Sequence, residues 1–163
     1  MPDNSARPLA VIDIDGVVAD VRHRLRFLDR RPKDWDAFFA AAEQDVPLEV
    51  GIARVMELAG GHDVVWLTGR PERLRKVTTA WLGRHGLPSG PMHMRGNRDR
   101  RPARTFKLGQ VRKLAAERIV AVVIDDDPAV VAALRTEGLP AELADWVPRD
   151  EELDVAQEQQ GRT

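Results

Sequence analysis

Three short apolar runs limit what this chain can fold into. Residues 9–12 (LAVI), 64–67 (VVWL) and 119–124 (IVAVVI) are continuous rather than alternating, and most are rich in β-branched side chains. A strand that is apolar at every position needs cover on both faces, as in a parallel sheet wrapped by helices. Stretches with helical spacing lie between the runs. Leu48, Ile52, Val55, Met56 and Ala59 share one face, and Gly60-Gly61 stops that helix. Leu74, Val77, Thr78, Trp81, Leu82 and His85 repeat at helical spacing between Pro71, which suits a first turn, and Gly86, which suits a helix end. A third helix is expected over about 105–117, and a fourth from the cap Asp127-Pro128 to Gly138. Weaker strands are expected at 92–95 and near 141–143. The alternation predicts an α/β fold, a three-layer Rossmann-like sandwich around a mostly parallel sheet.

A chain of 163 residues is long enough for one sizeable core. We therefore expect a single domain over 1–147 and a polar, flexible tail over 148–163. The formal net charge of −1 argues against both a globally basic coat protein and an acidic disordered chain. That near-neutral total is uneven. Residues 84–113 carry nine Lys/Arg against one acid, and residues 141–163 carry seven acids against two Arg, so a basic middle faces an acidic end. The absence of cysteine excludes disulfide scaffolds, thiolate zinc sites and a Cys nucleophile. No apolar run approaches the ~18 residues of a membrane span, and the start, MPDNSARP, lacks the hydrophobic stretch of a signal peptide. The expectation is a cytoplasmic protein with no membrane partner.

Each strong strand runs out into polar residues. The first ends in Asp13-Ile14-Asp15-Gly16, the second in Thr68-Gly69-Arg70, the third in Asp125-Asp126-Asp127. In open α/β sheets the binding crevice lies beyond the carboxyl ends of the strands, so these groups converge on one place. Lys107 opens the helix between the second and third of them. Carboxylate oxygens suit Mg²⁺, and hydroxyl, ammonium and helix-start N–H groups suit a phosphate. His23, His62, His85 and His93 have no metal-ligand spacing among them.

The ordered set VIDIDGVVAD, WLTGR, the Lys of ARTFKLGQ, and VVIDDDPAVVAAL resembles the haloacid-dehalogenase superfamily of phosphotransferases. The resemblance implies Asp13 as the nucleophile that forms an aspartyl-phosphate and Asp15 as the general acid and then base. It implies Thr68 and Lys107 as catalytic contacts to the phosphoryl group. It also implies a Mg²⁺ site built from Asp13, the backbone carbonyl of Asp15, Asp125 and Asp126, although the triplet leaves open which two of its acids bind. Dehalogenases lack an acid at the second position, so Asp15 favours phosphate esters. No G-x-x-x-x-G-K-[ST] occurs, so no P-loop kinase motif is present in these residues.

The space between motifs leaves room for one or two short helices over about 20–47, hence little or no cap and an open site. A narrower resemblance agrees. MHMRGNRDRRPARTFK, LTGRPERLR and IDDDPAVV are similar to the 3′-phosphatase domain of polynucleotide kinase-phosphatases, with Ala103 standing where that group often has an acid. It implies a phosphorylated nucleic-acid end or a nucleotide as substrate, with Gly69, Arg70, Arg95 and Arg100 as contacts. Arg22, Arg24, Arg26, Arg30 and Arg31, together with the arginines of 95–104, then form a track for the backbone, or else a solvated surface balanced by the acidic tail. A sugar or nucleoside monophosphate phosphatase, and a non-catalytic module of the same fold, remain as alternatives.

Overall fold

A computed structural model describes residues 6–163. The opening residues 1–5, read above as carrying no leader, lie outside it. Five parallel strands form the central sheet in the order β5-β4-β1-β6-β7: β1 (Leu9–Ile12), β4 (Asp63–Pro71), β5 (Met92–Arg95), β6 (Val120–Asp125) and β7 (Ala141–Leu143). β1 is central and wholly buried, which is why its run shows no polar alternation. Alternate side chains still serve opposite layers. Ala10 and Ile12 pack with Val64 and Trp66 beneath α2 (Glu49–Ala59) and α3 (Arg75–Arg84). Leu9 and Val11 pack with Val65 and Leu67 beneath α4 (Ala103–Glu117) and α5 (Pro128–Thr136). The result is the expected three-layer sandwich.

One expectation shifts in detail. Pro71 does not open a helix: its ψ of 149° is extended, it closes β4, and a short 3-10 turn (Glu72–Leu74) precedes α3. Asp127 does cap α5, accepting from the Ala129 N–H at 2.9 Å. The segment between β1 and α2 holds only a 3-10 helix (Arg22–Phe27), α1 (Trp35–Ala40), a second 3-10 turn (Ala41–Gln44) and a two-stranded ribbon of β2 (Ala19–Asp20) and β3 (Val46–Pro47). No lid-sized domain is inserted there.

The stretch after 147 departs from the flexible tail expected of it. α6 (Glu151–Asp154) and one π turn (Val155–Gln159) fold back, burying Leu153 and Ala156 against Leu25, Leu28 and Phe38. Glu152 pairs with Arg31 and Lys33, and Glu158 with Arg104. Two apolar side chains and a set of ion pairs are too sparse a pattern for hydrophobic periodicity to reveal. Among the described residues no helix is long and apolar enough to cross a membrane.

Candidate active site

The carboxyl ends of β1, β4 and β6 bring Asp13, Thr68, Asp125 and Asp126 together, all buried. Asp13 prolongs β1 by donating its N–H to the Ile124 carbonyl at 3.0 Å, and its Oδ1 accepts from the Ile14 N–H at 2.8 Å. The chain then turns sharply at Gly16, where φ is +76° and a Cβ would stand 2.2 Å from Asp126 Oδ2. Only glycine meets both demands. From the first turns of α4, Lys107 reaches in and places its Nζ 2.6 Å from Asp125 Oδ2 and 3.0 Å from Asp13 Oδ2.

One oxygen from each of Asp13, Asp125 and Asp126 falls within 4.8 Å of the others. Asp126 Oδ1 is buried with no partner among the described residues, and Asp126 Oδ2 accepts from Arg149 at 3.0 Å. Three carboxylates thus face the two cationic side chains Lys107 and Arg149. Burial pushes Asp13 well above the ordinary carboxylate range against the pull of Lys107, with Asp125 and Asp126 adding to the rise. Burial likewise raises Asp125 against Lys107, and burial together with Asp125 lifts Asp126 to about 7. Burial works against the Lys107 ammonium, but Asp125 and Asp13 outweigh it and hold the group charged. An all-oxygen, anion-rich cluster with an unused buried carboxylate oxygen fits a hard divalent cation. Asp127, the third acid of the triplet, gives one oxygen to its helix cap and lies outside this three-residue cluster.

Asp15 sits in a different environment. Its carboxylate is not part of that cluster; the resemblance assigns only its backbone carbonyl to the cation. The side chain turns to two arginines. Its Oδ1 accepts from Arg70 Nη2 at 2.6 Å, Arg70 Nε at 3.0 Å and Arg24 Nη2 at 3.1 Å. Burial opposes its charge, yet Arg70 and Arg24 overcome that and bring the carboxyl down to about 2. Two carboxyls two residues apart are therefore pushed in opposite directions, the arrangement that separates acid–base roles.

The expected substrate contacts do not all face the crevice. Arg70 is fully buried, and its guanidinium is occupied by Asp15, Asp45 and Thr78. Arg95 is also fully buried, donating to the carbonyls of Gly69, Arg101 and Thr163 and stacking on Phe106. Gly69 is covered by Thr163, whose carbonyl carbon would lie 2.2 Å from a Cβ there. Thr163 Oγ1 also stands 3.4 Å from Asp15 Oδ2. Arg100 is exposed and donates to the Asn97 and Asp99 carbonyls.

Sequence reasoning missed three residues. Arg24, read as part of a surface track, is fully buried on Asp15 and Asp45. Asp45 joins Arg24 to Arg70, and Arg149 holds Asp126 from the segment expected to be loose. Nothing local distinguished Arg24 from Arg22, which pairs with its neighbour Asp20 at the surface.

The model of the polynucleotide kinase PNKP phosphatase domain matches residues 8–142. Among solved structures, the chain is similar to one in the Pnkp1/Rnl/Hen1 RNA repair complex, at 21% identity and a TM-score of 0.73, over 88% of this chain and 44% of that one. It thus spans less than half the length of that protein. A hydrolase from Streptococcus pneumoniae TIGR4 aligns at 10% identity and a TM-score of 0.55, over 93% of this chain and 97% of that one. A HAD family enzyme from Bacteroides thetaiotaomicron, solved in complex with magnesium and inorganic phosphate, aligns at 11% identity and a TM-score of 0.51, over 91% and 99%. At these identities the likenesses speak for the fold. No curated protein sequence matches the chain. The family match takes in most of the chain and all four strand-end and helix motifs, so the protein belongs to the polynucleotide kinase PNKP phosphatase-domain family and is a phosphatase of the haloacid-dehalogenase type.

Proposed function

We propose that this domain hydrolyses phosphomonoesters through an aspartyl-phosphate on Asp13, acting on 3′-phosphorylated polynucleotide ends or on nucleotides. The observation that carries the chemistry is the division of labour between the two acids of the first motif. Asp13 lies against Lys107 and the cation cluster, whereas Asp15 is held apart by two arginines. Asp13 attacks phosphorus as the bond to the leaving oxygen breaks, and Asp15 gives that oxygen a proton. Asp15 then takes a proton from the water that attacks the aspartyl-phosphate, which frees Asp13 and inorganic phosphate. Arg70 and Arg24 favour the ionised form of Asp15 in the free protein, so its acid role depends on a change in that environment when substrate binds. Thr68 Oγ1 accepts from the Arg70 N–H at 3.1 Å, so its own O–H is free to donate to a phosphoryl oxygen. Asp13, Asp125 and Asp126 are the side chains that would hold Mg²⁺, with the Asp15 carbonyl as a further ligand. When bound, the cation supplies Lewis-acid charge neutralisation.

The experiment that tests the division of labour compares leaving groups. Asp15→Asn keeps the nucleophile and removes the proton donor. Turnover of a nucleoside 3′-phosphate, with its poor leaving alkoxide, should fall by about 10²–10⁴-fold, and turnover of an aryl phosphate far less. Equal losses on both would make Asp15 structural.

The polynucleotide reading rests on the family match and on the similarity to a chain of an RNA repair complex. A small-molecule phosphatase is the second reading, and one observation favours it. Much of the basic loop is already neutralised, since Arg101 pairs with Asp99 and Arg104 with Glu158. Salt separates the two. Replacing Arg98, Arg100 and Arg101 together with Ser should weaken oligonucleotide turnover at low salt and flatten its salt dependence, while sparing an aryl phosphate. If both substrates respond alike, the loop is solvated surface and the small-molecule reading takes over.

A further inference from the structure

Asp45 lies thirty positions beyond Asp15 in sequence and yet controls what surrounds it. It is buried in the loop between the second 3-10 turn and β3. Its carboxylate is fully engaged: Oδ1 accepts from Arg24 Nε at 2.9 Å and lies 2.7 Å from His23 Nε2, and Oδ2 accepts from Arg24 Nη2 at 2.9 Å and Arg70 Nη2 at 2.8 Å. Its main chain is fixed as well, because the buried Trp81 indole N–H donates to the Asp45 carbonyl at 2.9 Å. The core helix α3 thereby sets the position of the loop. Arg24 is further pinned over the Phe38 ring, 4.5 Å from its centroid. Asp45 is thus the one described carboxylate that grips both arginines holding Asp15 without belonging to the first motif.

The consequence falls on a single oxygen of Asp15. All three guanidinium contacts go to Oδ1, which has no lone pair left to offer. Among the described residues, Oδ2 meets only the Thr163 hydroxyl, at 3.4 Å. We infer that Asp45 is a positioning residue for proton transfer: by anchoring Arg24 and Arg70 it locks the Asp15 carboxylate through Oδ1 and leaves Oδ2 as the oxygen that carries the proton. This rests on the phosphatase reading above and adds a residue that acts only through others. Without Asp45, Arg70 would keep Thr78 and Arg24 would keep the Phe38 ring, but no group would tie the two guanidiniums to each other across Asp15. A misplacement of about 1 Å at a reacting group can cost ~10²-fold in rate.

The test is Asp45→Asn in the full chain, which keeps the shape and sets an amide N–H₂ against a guanidinium. It should lower kcat for a nucleoside 3′-phosphate by roughly 10–100-fold, as loss of outer partners does at other sites, with KM nearly unchanged. An aryl phosphate, which needs little protonation, should lose no more than a few-fold. In an Asp15→Asn background the same change should cost nothing further, because the group it positions is gone. A loss equal on both esters, or one that multiplies with Asp15→Asn, would overturn the inference and leave Asp45 as a structural counter-ion. If melting shows that Asp45→Asn does not fold, Asp45→Glu keeps the buried negative charge and both arginines but shifts the anchoring carboxylate by one methylene, and the same comparison of esters reads the positioning. A wild-type protein that releases phosphate from neither ester defeats the phosphatase reading and this inference with it. An active wild type with uniform or multiplying losses defeats the inference alone.

Discussion

Asp13→Asn should reduce phosphate release by on the order of 10³-fold or more while leaving the protein folded. The substitution is nearly isosteric, and the amide oxygen can still accept from the Ile14 N–H, the contact that fixes the side chain at the end of β1. What disappears is the oxyanion that must bond to phosphorus. Lys107 is held over both Asp13 and Asp125, so it keeps its second partner at 2.6 Å and the site does not lose its cation. Removing Asp13 should also relieve crowding among the buried carboxylates, since burial already holds Asp13 and Asp125 above their ordinary range. A melting temperature equal to or above that of wild type, combined with lost turnover, is the expected pair of results. Turnover near wild type, with contaminating phosphatase excluded, would remove Asp13 from the chemistry.

The residues whose meeting was legible in the sequence share one property: their placement follows from position along a single strand or helix. β1 is apolar at each position because both of its faces are covered, and the acids after it and after β6 stand where strands of a parallel sheet end. Lys107 was legible because a helix start lies near the same crevice. Arg24, Asp45 and Arg149 were not legible, because each acquires its role only when distant segments meet. Arg24 is one of five arginines over 22–31, and only the fold buries it while its neighbours stay outside. Arg70 and Arg95 show the complementary error. Both lie next to site motifs and so resemble substrate contacts, yet both are buried and bound to protein groups. Long cationic side chains near a phosphate motif can serve the ligand or the groups that serve the ligand, and sequence proximity does not separate these. The segment after 147 departs from expectation for a third reason: what holds it is two buried apolar side chains and ion pairing to 31, 33 and 104, too little to leave a periodic trace.

Chelation should abolish turnover, by at least ~10²-fold, and Mg²⁺ should restore it; Asp125→Ala and Asp126→Ala should each raise the Mg²⁺ needed for half-maximal rate. The two variants should differ in a way the geometry sets. Asp125 also receives Lys107 at 2.6 Å and the Asp127 N–H at 2.9 Å, so its loss leaves the lysine with Asp13 at 3.0 Å and loosens the turn into α5. Asp126 has one buried oxygen without a partner among the described residues and one held by Arg149 at 3.0 Å, so its loss should remove a ligand but leave the turn intact. Asp125→Ala should therefore lower the melting temperature as well as the Mg²⁺ affinity, and Asp126→Ala should act mainly on affinity. The readouts are Mg²⁺ titration of turnover and thermal melting with and without the cation. Mg²⁺ should raise the melting temperature of wild type, because it replaces protons or lysine as the partner of three buried carboxylates, and it should do so much less in either variant. Full activity in chelator-treated, metal-free protein would mean that Lys107 and Arg149 alone neutralise the cluster and that the three acids serve the fold.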